Sequence, residues 1–403
     1  MTNAEKLDWT GREVEAEVGA VAHGGHCVAR VEGRVVFVRH ALPGERVTVR
    51  VTEDNGGSFC RGDAIAILSA SPDRVAAPCE LARPGGCGGC DWQHATPEAQ
   101  RGLKAEVITE QLRRLAGLDV DVEVEALPGG PLHWRTRLRL AVAGNGYPGL
   151  RANHSHRVHP IRDCPIAVEG LLDGVLDRRR PKGTELEVVL DDVGRQHVAQ
   201  AERAHPHGWR THWEQGGRAE QRAAGRTWRV RADGFWQVHP DAADLLAEVV
   251  GEWAAVPRGG TAWDLYGGVG LFAAVLAEQA GPDGSVLMVE SGRAAVADAE
   301  ANLADLPWVR CVADRVERAL PDEAGNPDVV VLDPPRKGAG KTVVDLIAQR
   351  SPTRVVYVAC DPAALARDVA LFTGHGYDLA KLRAFDCFPM THHVECVALL
   401  VSP

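Results

Sequence analysis

Val355-Val-Tyr-Val-Ala-Cys360-Asp-Pro-Ala-Ala-Leu-Ala-Arg-Asp368 is the stretch from which the fold is read. Residues 355–359 are β-branched, aromatic or small and have the pattern of a buried strand, while Pro362 suits the first turn of a helix and Asp361 its N-cap. A cysteine therefore stands at a strand-to-helix corner. The helix N-terminus favours its thiolate, and the Asp361 carboxylate opposes it. A buried, inert cysteine that closes a strand fits the same residues, so the surroundings have to decide.

Those surroundings repeat the corner. From Thr261, strand and helix patterns alternate over 261–265, 270–279, 285–290, 293–303, 309–312, 328–332, 342–350 and 354–359. Such alternation predicts an α/β fold built on a doubly wound, Rossmann-like parallel sheet. An apolar strand, 394–401, closes the chain after a short link from Tyr377 to Phe388. Trp263-Asp264-Leu-Tyr266-Gly-Gly268-Val-Gly270 places a carboxylate and a glycine turn at the end of the first strand, where only glycine lets the backbone approach a ligand. The turn is not the Gly-x-Gly-x-x-Gly of dinucleotide enzymes, which argues against hydride chemistry. Glu290 ends the second strand, where an acid accepts ribose hydroxyls, and Asp314 follows the third, at the adenine end. Three acids at successive strand ends predict a nucleoside cofactor. Asp333-Pro-Pro-Arg336 ends the fourth strand with arginine where an amino-group methyltransferase would carry an aromatic residue to stack on a base.

Ahead of the sheet, short strand patterns at 14–18, 27–31, 34–38, 46–51 and 60–68 predict a small β-barrel over residues 1–70. Its runs Gly24-Gly-His-Cys-Val-Ala-Arg30, Gly33-Arg-Val-Val-Phe-Val38 and Ala41-Leu-Pro-Gly-Glu-Arg-Val47 resemble the TRAM domain, an oligonucleotide-binding-fold module of RNA-modifying enzymes. The copy is about charge-neutral, so it is expected to be an auxiliary grip on RNA. Residues 71–235 read as a mixed α+β central domain and 236–403 as the catalytic one. A helix is predicted over Thr96–Leu115, started by Pro97 and Glu98 and stopped by Gly117. Arg135, Arg137 and Arg139 share one face of a strand, followed by Arg151, His154, His156, Arg157 and His159. That row suits phosphate tracking, or is simply an exposed strand face. Pro131–Phe235 holds 18 Lys/Arg against 12 Asp/Glu in a chain whose net charge is −10, so one basic region lies inside an acidic protein. Residues 171–226 carry no assigned chemistry.

The N-terminal Met1–Arg12 is polar, and no stretch reaches the roughly 18 apolar residues of a membrane span. A cytoplasmic protein is expected, with no membrane partner and no obligate protein partner evident. Ten cysteines there argue for metal ligation, catalysis or burial over disulfides. Cys79, Cys87 and Cys90 crowd together, the last two separated by two glycines, and Cys164 precedes a proline. An iron–sulfur cluster, four zinc ligands and unligated thiols all remain open on spacing, whereas a redox dithiol lacks its βαβ frame.

Taken together, Gln237, the Asp264–Gly270 loop, Asp333-Pro-Pro-Arg336, the Cys360–Asp368 run and Phe388-Pro-Met-Thr-His-His-Val-Glu395 closely resemble the RNA 5-methyluridine methyltransferase family, over nearly the whole chain. The resemblance implies S-adenosyl-L-methionine as cofactor, bound by Gln237, Asp264, Tyr266, Gly268, Glu290, Asp314 and Asp333. It also implies a [4Fe–4S] cluster on Cys79, Cys87, Cys90 and Cys164, and structured RNA as substrate, ribosomal RNA favoured over transfer RNA. Uracil C5 is a poor nucleophile until a thiolate adds at C6, a role implied for Cys360; Glu395 would then remove the surplus C5 hydrogen. Two rivals are RNA 5-methylcytidine formation, which usually needs a cysteine where Arg336 stands, and a non-catalytic RNA-binding protein. A redox sensor rests on cysteine count alone.

Overall fold

The computed structural model describes residues 8–203 and 209–402; the first seven residues of the polar start and 204–208 of the Arg/His-rich segment lie outside them. The predicted barrel is closed. Its strands are Glu13–Val21, Cys27–Val31, Arg34–Arg39, Arg46–Asp54 and Phe59–Ser69, with the fifth inserted between the third and fourth. Val47, Val49 and Val51 point inward at strand period and pack with Cys27, Val36 and Val38. Gly62 permits the tight bend of the last strand, since a Cβ there would lie 2.6 Å from Val49 and 2.7 Å from the Arg50 carbonyl.

The predicted helix is present as Pro97–Gln111, capped by the Thr96 hydroxyl, which accepts from the Ala99 N–H. It runs on through one wide turn, Leu112–Ala116, and stops at Gly117 with φ 68°. A six-stranded antiparallel sheet follows, in the order Trp209–Gln215, Gln196–Arg203, Glu185–Leu190, Arg137–Val142, Pro148–Arg151, Val158–Pro160. Leu138 and Leu140 face its core. Arg137 and Arg139 both lean on Glu187 of the adjoining strand, at 3.3 and 3.6 Å, so one carboxylate offsets part of the arginine row.

The C-terminal half is built on an eight-stranded sheet ordered Val309–Ala313, Ser285–Glu290, Thr261–Leu265, Val329–Leu332, Arg354–Ala359, Glu395–Val401, Asp378–Asp386, Val124–Ala126. Its first five strands are parallel, as the alternation requires, and Glu395–Val401 runs antiparallel between its neighbours. Helices Ala242–Ala254, Leu271–Ala280 and Arg293–Asn302 cover one face, and Pro97–Gln111, Gly340–Gln349 and Pro362–Gly374 the other. Asp378–Asp386 corrects the expected link. It is a strand whose period is hidden by an irregularity between Leu379 and Lys381 and by burial only at Ala384, Phe385 and Asp386. Val124–Ala126, from the first half of the chain, pairs parallel to it and is too short to be read by periodicity. Among the described residues no helix is long and apolar enough to cross a membrane.

Candidate active site

Val355 to Val358 are fully buried, and the chain turns at Cys360 into the helix Pro362–Gly374. Asp361 caps that helix as the sequence predicts: its Oδ1 accepts from the Ala364 N–H at 2.8 Å. Across the antiparallel neighbour, Ala359 lies opposite Cys396, which brings Glu395 to the same sheet edge as Cys360. Asp333 leaves the adjoining parallel strand there, its N–H donating to the Leu265 carbonyl at 3.2 Å. Gln237 arrives on the segment before Ala242–Ala254. Gln237, Asp333, Cys360 and Glu395 line one cavity of about 490 Å³ at the carboxyl ends of the parallel strands, the position where α/β sheets bind ligands.

Burial disfavours charge on the acids and the thiol that line this cavity. Burial pushes Asp333 up to about 7. Burial, then repulsion from Asp333, holds Glu395 well above the usual carboxylate range. Cys360 is pushed up to about 12 by burial first, then by Glu395 and Asp333, against the pull of Arg336. The helix N-terminus, which alone would favour thiolate, is overruled by desolvation and by acids that arrive from other strands.

On the cofactor side, Asp264 is fully buried, with Oδ2 accepting from the Ala273 N–H at 2.8 Å and Oδ1 left without a partner among the described residues. Burial raises it to about 7. Gly267 leaves no room for a side chain, since a Cβ would lie 2.6 Å from Met288 and 2.8 Å from Asp264 Oδ2. Tyr266 takes φ 63°, and the Gly268 N–H donates to Glu290 Oε2 at 3.3 Å. Glu290 Oε1 accepts from the Gly292 N–H at 2.6 Å. Asp314 is exposed beyond the edge strand and accepts from the Arg315 N–H. Asp264, Tyr266, Gly268, Glu290 and Asp314 thus gather around the ends of the first three strands, outside the walls of the 490 Å³ cavity.

Cys79, Cys87, Cys90 and Cys164 line a second cavity of about 200 Å³ together with Arg135. Burial pushes Cys90 to about 12 and Cys164 to about 11. The Gly89 N–H donates to Cys87 Sγ at 3.3 Å, and among the described residues no carboxylate is in ion-pair reach of Arg135. The four cysteines share the lining of one space, but among the described residues no three His, Cys, Asp or Glu side chains stand close enough to hold a single metal ion. Arg135 and Gly89 also line the larger cavity, so one wall serves both.

Sequence reasoning missed the contacts that join the parts. Asp91, next to Cys90, accepts from the His392 N–H at 3.1 Å and meets its Nδ1 at 2.6 Å. The N–H groups of Asp91 and Trp92 both donate to the Met390 carbonyl. His393 lies 3.3 Å from Arg336 and is held down to about 3 by burial, then by His392 and Arg336, so it is a neutral imidazole. Buried Lys104 donates to Asp386 and to the Phe388 carbonyl, fixing the base of the same loop. The barrel, expected to be an auxiliary grip, walls the cavity: Gly24, His26 and Arg39 line it, and His23 Nε2 meets Asp361 Oδ2 at 3.0 Å. Trp92 Nε1 donates to the Gly25 carbonyl, and a Cβ on Gly25 would come within 2.6 Å of His392. The Gly24-Gly25 pair was the single local hint of such close approach.

The TRAM domain family matches residues 9–65, and the family described as tRNA (Uracil-5-)-methyltransferase matches residues 226–402. An uncharacterized RNA methyltransferase of Streptomyces avermitilis is 48% identical over 97% of this chain and 98% of its own length. The 23S rRNA (uracil(1939)-C(5))-methyltransferase of Halomonas elongata is 34% identical over 96% of this chain and 89% of its own. Among solved structures, the tRNA (uracil-54, C5)-methyltransferase of Pyrococcus abyssi in complex with S-adenosyl-L-homocysteine superposes with a TM-score of 0.70 at 20% identity, covering 96% of this chain and all of that one.

Proposed function

The chain belongs to the RNA uracil-5 methyltransferase family, and we propose that it methylates C5 of a uridine in structured RNA, ribosomal RNA before transfer RNA, in the cytoplasm. The observation that carries this reading is the convergence of Cys360, Asp333, Glu395 and Gln237 from four segments onto one cavity. Residues 1–70 act as an RNA-holding unit, as does 71–235 apart from its helix Pro97–Gln111 and strand Val124–Ala126, which complete the catalytic unit 236–403.

Cys360 is the nucleophile that adds to C6 of the flipped base and makes C5 enolate-like. Its proton has to leave first, to solvent, and burial together with Glu395, Asp333 and Asp361 explains why the free site keeps it as a thiol. Asp333 and Gln237 hold the polar edge of the uracil. Glu395, its own proton first passed to solvent, takes the C5 hydrogen as a proton; the pair left on C5 re-forms the C5–C6 double bond and the C6–sulfur bond breaks, returning its pair to Cys360. S-adenosyl-L-methionine, when bound, supplies the methyl group. Asp264, Tyr266, Gly268, Glu290 and Asp314 would hold it, with Gln237 and Asp333 at its reacting end, and the unpartnered Asp264 Oδ1 and the side-chain-free Gly267 fit such a ligand.

Cys79, Cys87, Cys90 and Cys164 would hold a [4Fe–4S] cluster in a structural role. A cavity of about 200 Å³ lined by four cysteines that do not close on a single ion suits a multi-iron cluster better than one tetrahedral zinc, the Gly89 N–H donates to Cys87 Sγ, and Arg135 would supply positive charge beside the thiolates of a bound cluster.

The test separates the two roles. Cys360→Ala should abolish methylation and give no covalent RNA–protein species, whereas Glu395→Gln should accumulate a heat-stable adduct carrying the methyl group on a denaturing gel. Normal turnover by Glu395→Gln, or an adduct with Cys360→Ala, would sink the assignment.

A further inference from the structure

The barrel loop Ala22–His26 is rigidly made. The Ala22 N–H donates to the His26 carbonyl at 2.7 Å and the Gly25 N–H to the Ala22 carbonyl at 3.1 Å, with Gly24 and Gly25 at φ 92° and 82°. Trp92 fastens its tip from outside. The loop therefore presents His23 at a fixed place, 338 positions away in sequence from the residue it meets. That residue, Asp361, divides its oxygens: Oδ1 caps the helix that follows the nucleophile, and Oδ2 faces His23. Cys360, Asp361 and His23 line one smaller cavity of about 180 Å³ with Arg336, His392 and His393.

We propose that His23 is a positioning residue for the nucleophile: in its protonated form it anchors Asp361 and offsets the carboxylate charge that stands beside Cys360, so the barrel sets the reactivity of the catalytic thiol. The inference rests on Cys360 being the nucleophile but not on which RNA is modified. The logic is electrostatic. A carboxylate next to a thiol opposes thiolate formation, and an imidazolium bonded to that carboxylate cancels part of the opposition. The groups facing His23 are Asp361, Arg367 of the same helix and Glu110 of the helix Pro97–Gln111, with Arg336, His392 and His393 across the cavity. The Asp361 bond raises His23 above its ordinary value, against burial, which lowers it. Because Oδ1 alone makes the cap, removing His23 should spare the helix.

The full-length protein is treated with methyl methanethiosulfonate from pH 6 to 9 without RNA, and modification of Cys360 is timed by peptide mass spectrometry. With His23→Asn, Cys360 should react about three- to tenfold more slowly than wild type at pH 6, and the two rates should converge as pH rises past the His23 titration. His23→Lys, charged throughout, should restore the rate and remove the convergence. A wild-type to His23→Asn ratio of one at every pH, or a ratio that does not change with pH, overturns the proposal. Neither depends on methylation, so failure of the uridine reading, seen as turnover by Cys360→Ala, remains a separate result.

Discussion

Lys104 is the cation whose loss the structure penalises most clearly. It is 1% exposed, and its partner Asp386 is 3% exposed. Lys104→Met keeps the length and apolar stem of the side chain but leaves the Asp386 carboxylate buried and unpaired, and it takes a donor from the Phe388 carbonyl at 3.1 Å. Breaking a buried pair from one side costs about 3–5 kcal/mol, against a total stability on the order of 5–15 kcal/mol. For a domain of this size that is a fall in Tm of roughly 6–20 °C. Removing both charges is different in kind, because no uncompensated ion remains. Lys104→Met with Asp386→Asn should therefore recover more than half of the loss. Thermal and urea unfolding of wild type, both single variants and the double variant close the cycle. A Lys104→Met cost under about 1 kcal/mol, or a double variant as poor as the sum of the singles, would refute the idea that this pair anchors the 387–394 loop.

Anaerobically purified protein should be brown and contain iron and acid-labile sulfide, both lost on replacing Cys87 or Cys164 by serine; stoichiometric zinc without iron would overturn the cluster. Gly267→Ala should weaken S-adenosyl-L-homocysteine binding about tenfold or more by calorimetry, because the new methyl would sit against Met288 and Asp264; unchanged affinity would remove that loop from the cofactor site. Glu395→Gln should be more stable than wild type at alkaline pH. Folded Glu395 keeps a proton that the unfolded chain releases above its ordinary value of 4.5, so wild-type stability falls as pH rises from there. The Tm gap should be small near pH 5 and widen through pH 7 to 9, and a gap independent of pH would contradict the burial of an ionisable carboxyl at this position.

The parallel sheet was legible because its signals are local. Four of the five parallel strands are short apolar blocks with a residue of different character at or next to the end: Asp264, Glu290, Asp333 and Cys360 mark where those strands stop and the site begins. Asp361 as a cap and Gly117 as a stop were legible for the same reason, since each acts within one helical turn. Charge state was not. In the sequence the helix N-terminus and Asp361 pull on Cys360 in opposite directions and leave the sign open, and burial, then Glu395 and Asp333 arriving on separate strands, decides it. The arginine row illustrates the same limit, because Glu187 sits on a strand that the sequence did not resolve. Asp91, His23 and Lys104 are unremarkable in sequence, and each acquires its meaning from a partner hundreds of positions away.

The small edge strand Val124–Ala126 sets a clock on biosynthesis. Glu125 is tied to Arg383, 258 positions later, by a bidentate ion pair at 2.7 Å. At translation speeds of about 5–20 residues per second, roughly 13–50 s separate the emergence of the two. Throughout that interval the barrel can close, since all its strands lie in the first 69 residues. The segment behind it cannot, because Asp91 and Trp92 await the Met390 carbonyl and Gln100 awaits the Met390 N–H. Cys79, Cys87 and Cys90 therefore leave the ribosome long before Met390, whose backbone N–H and carbonyl hold the Asp91–Gln100 segment beside them.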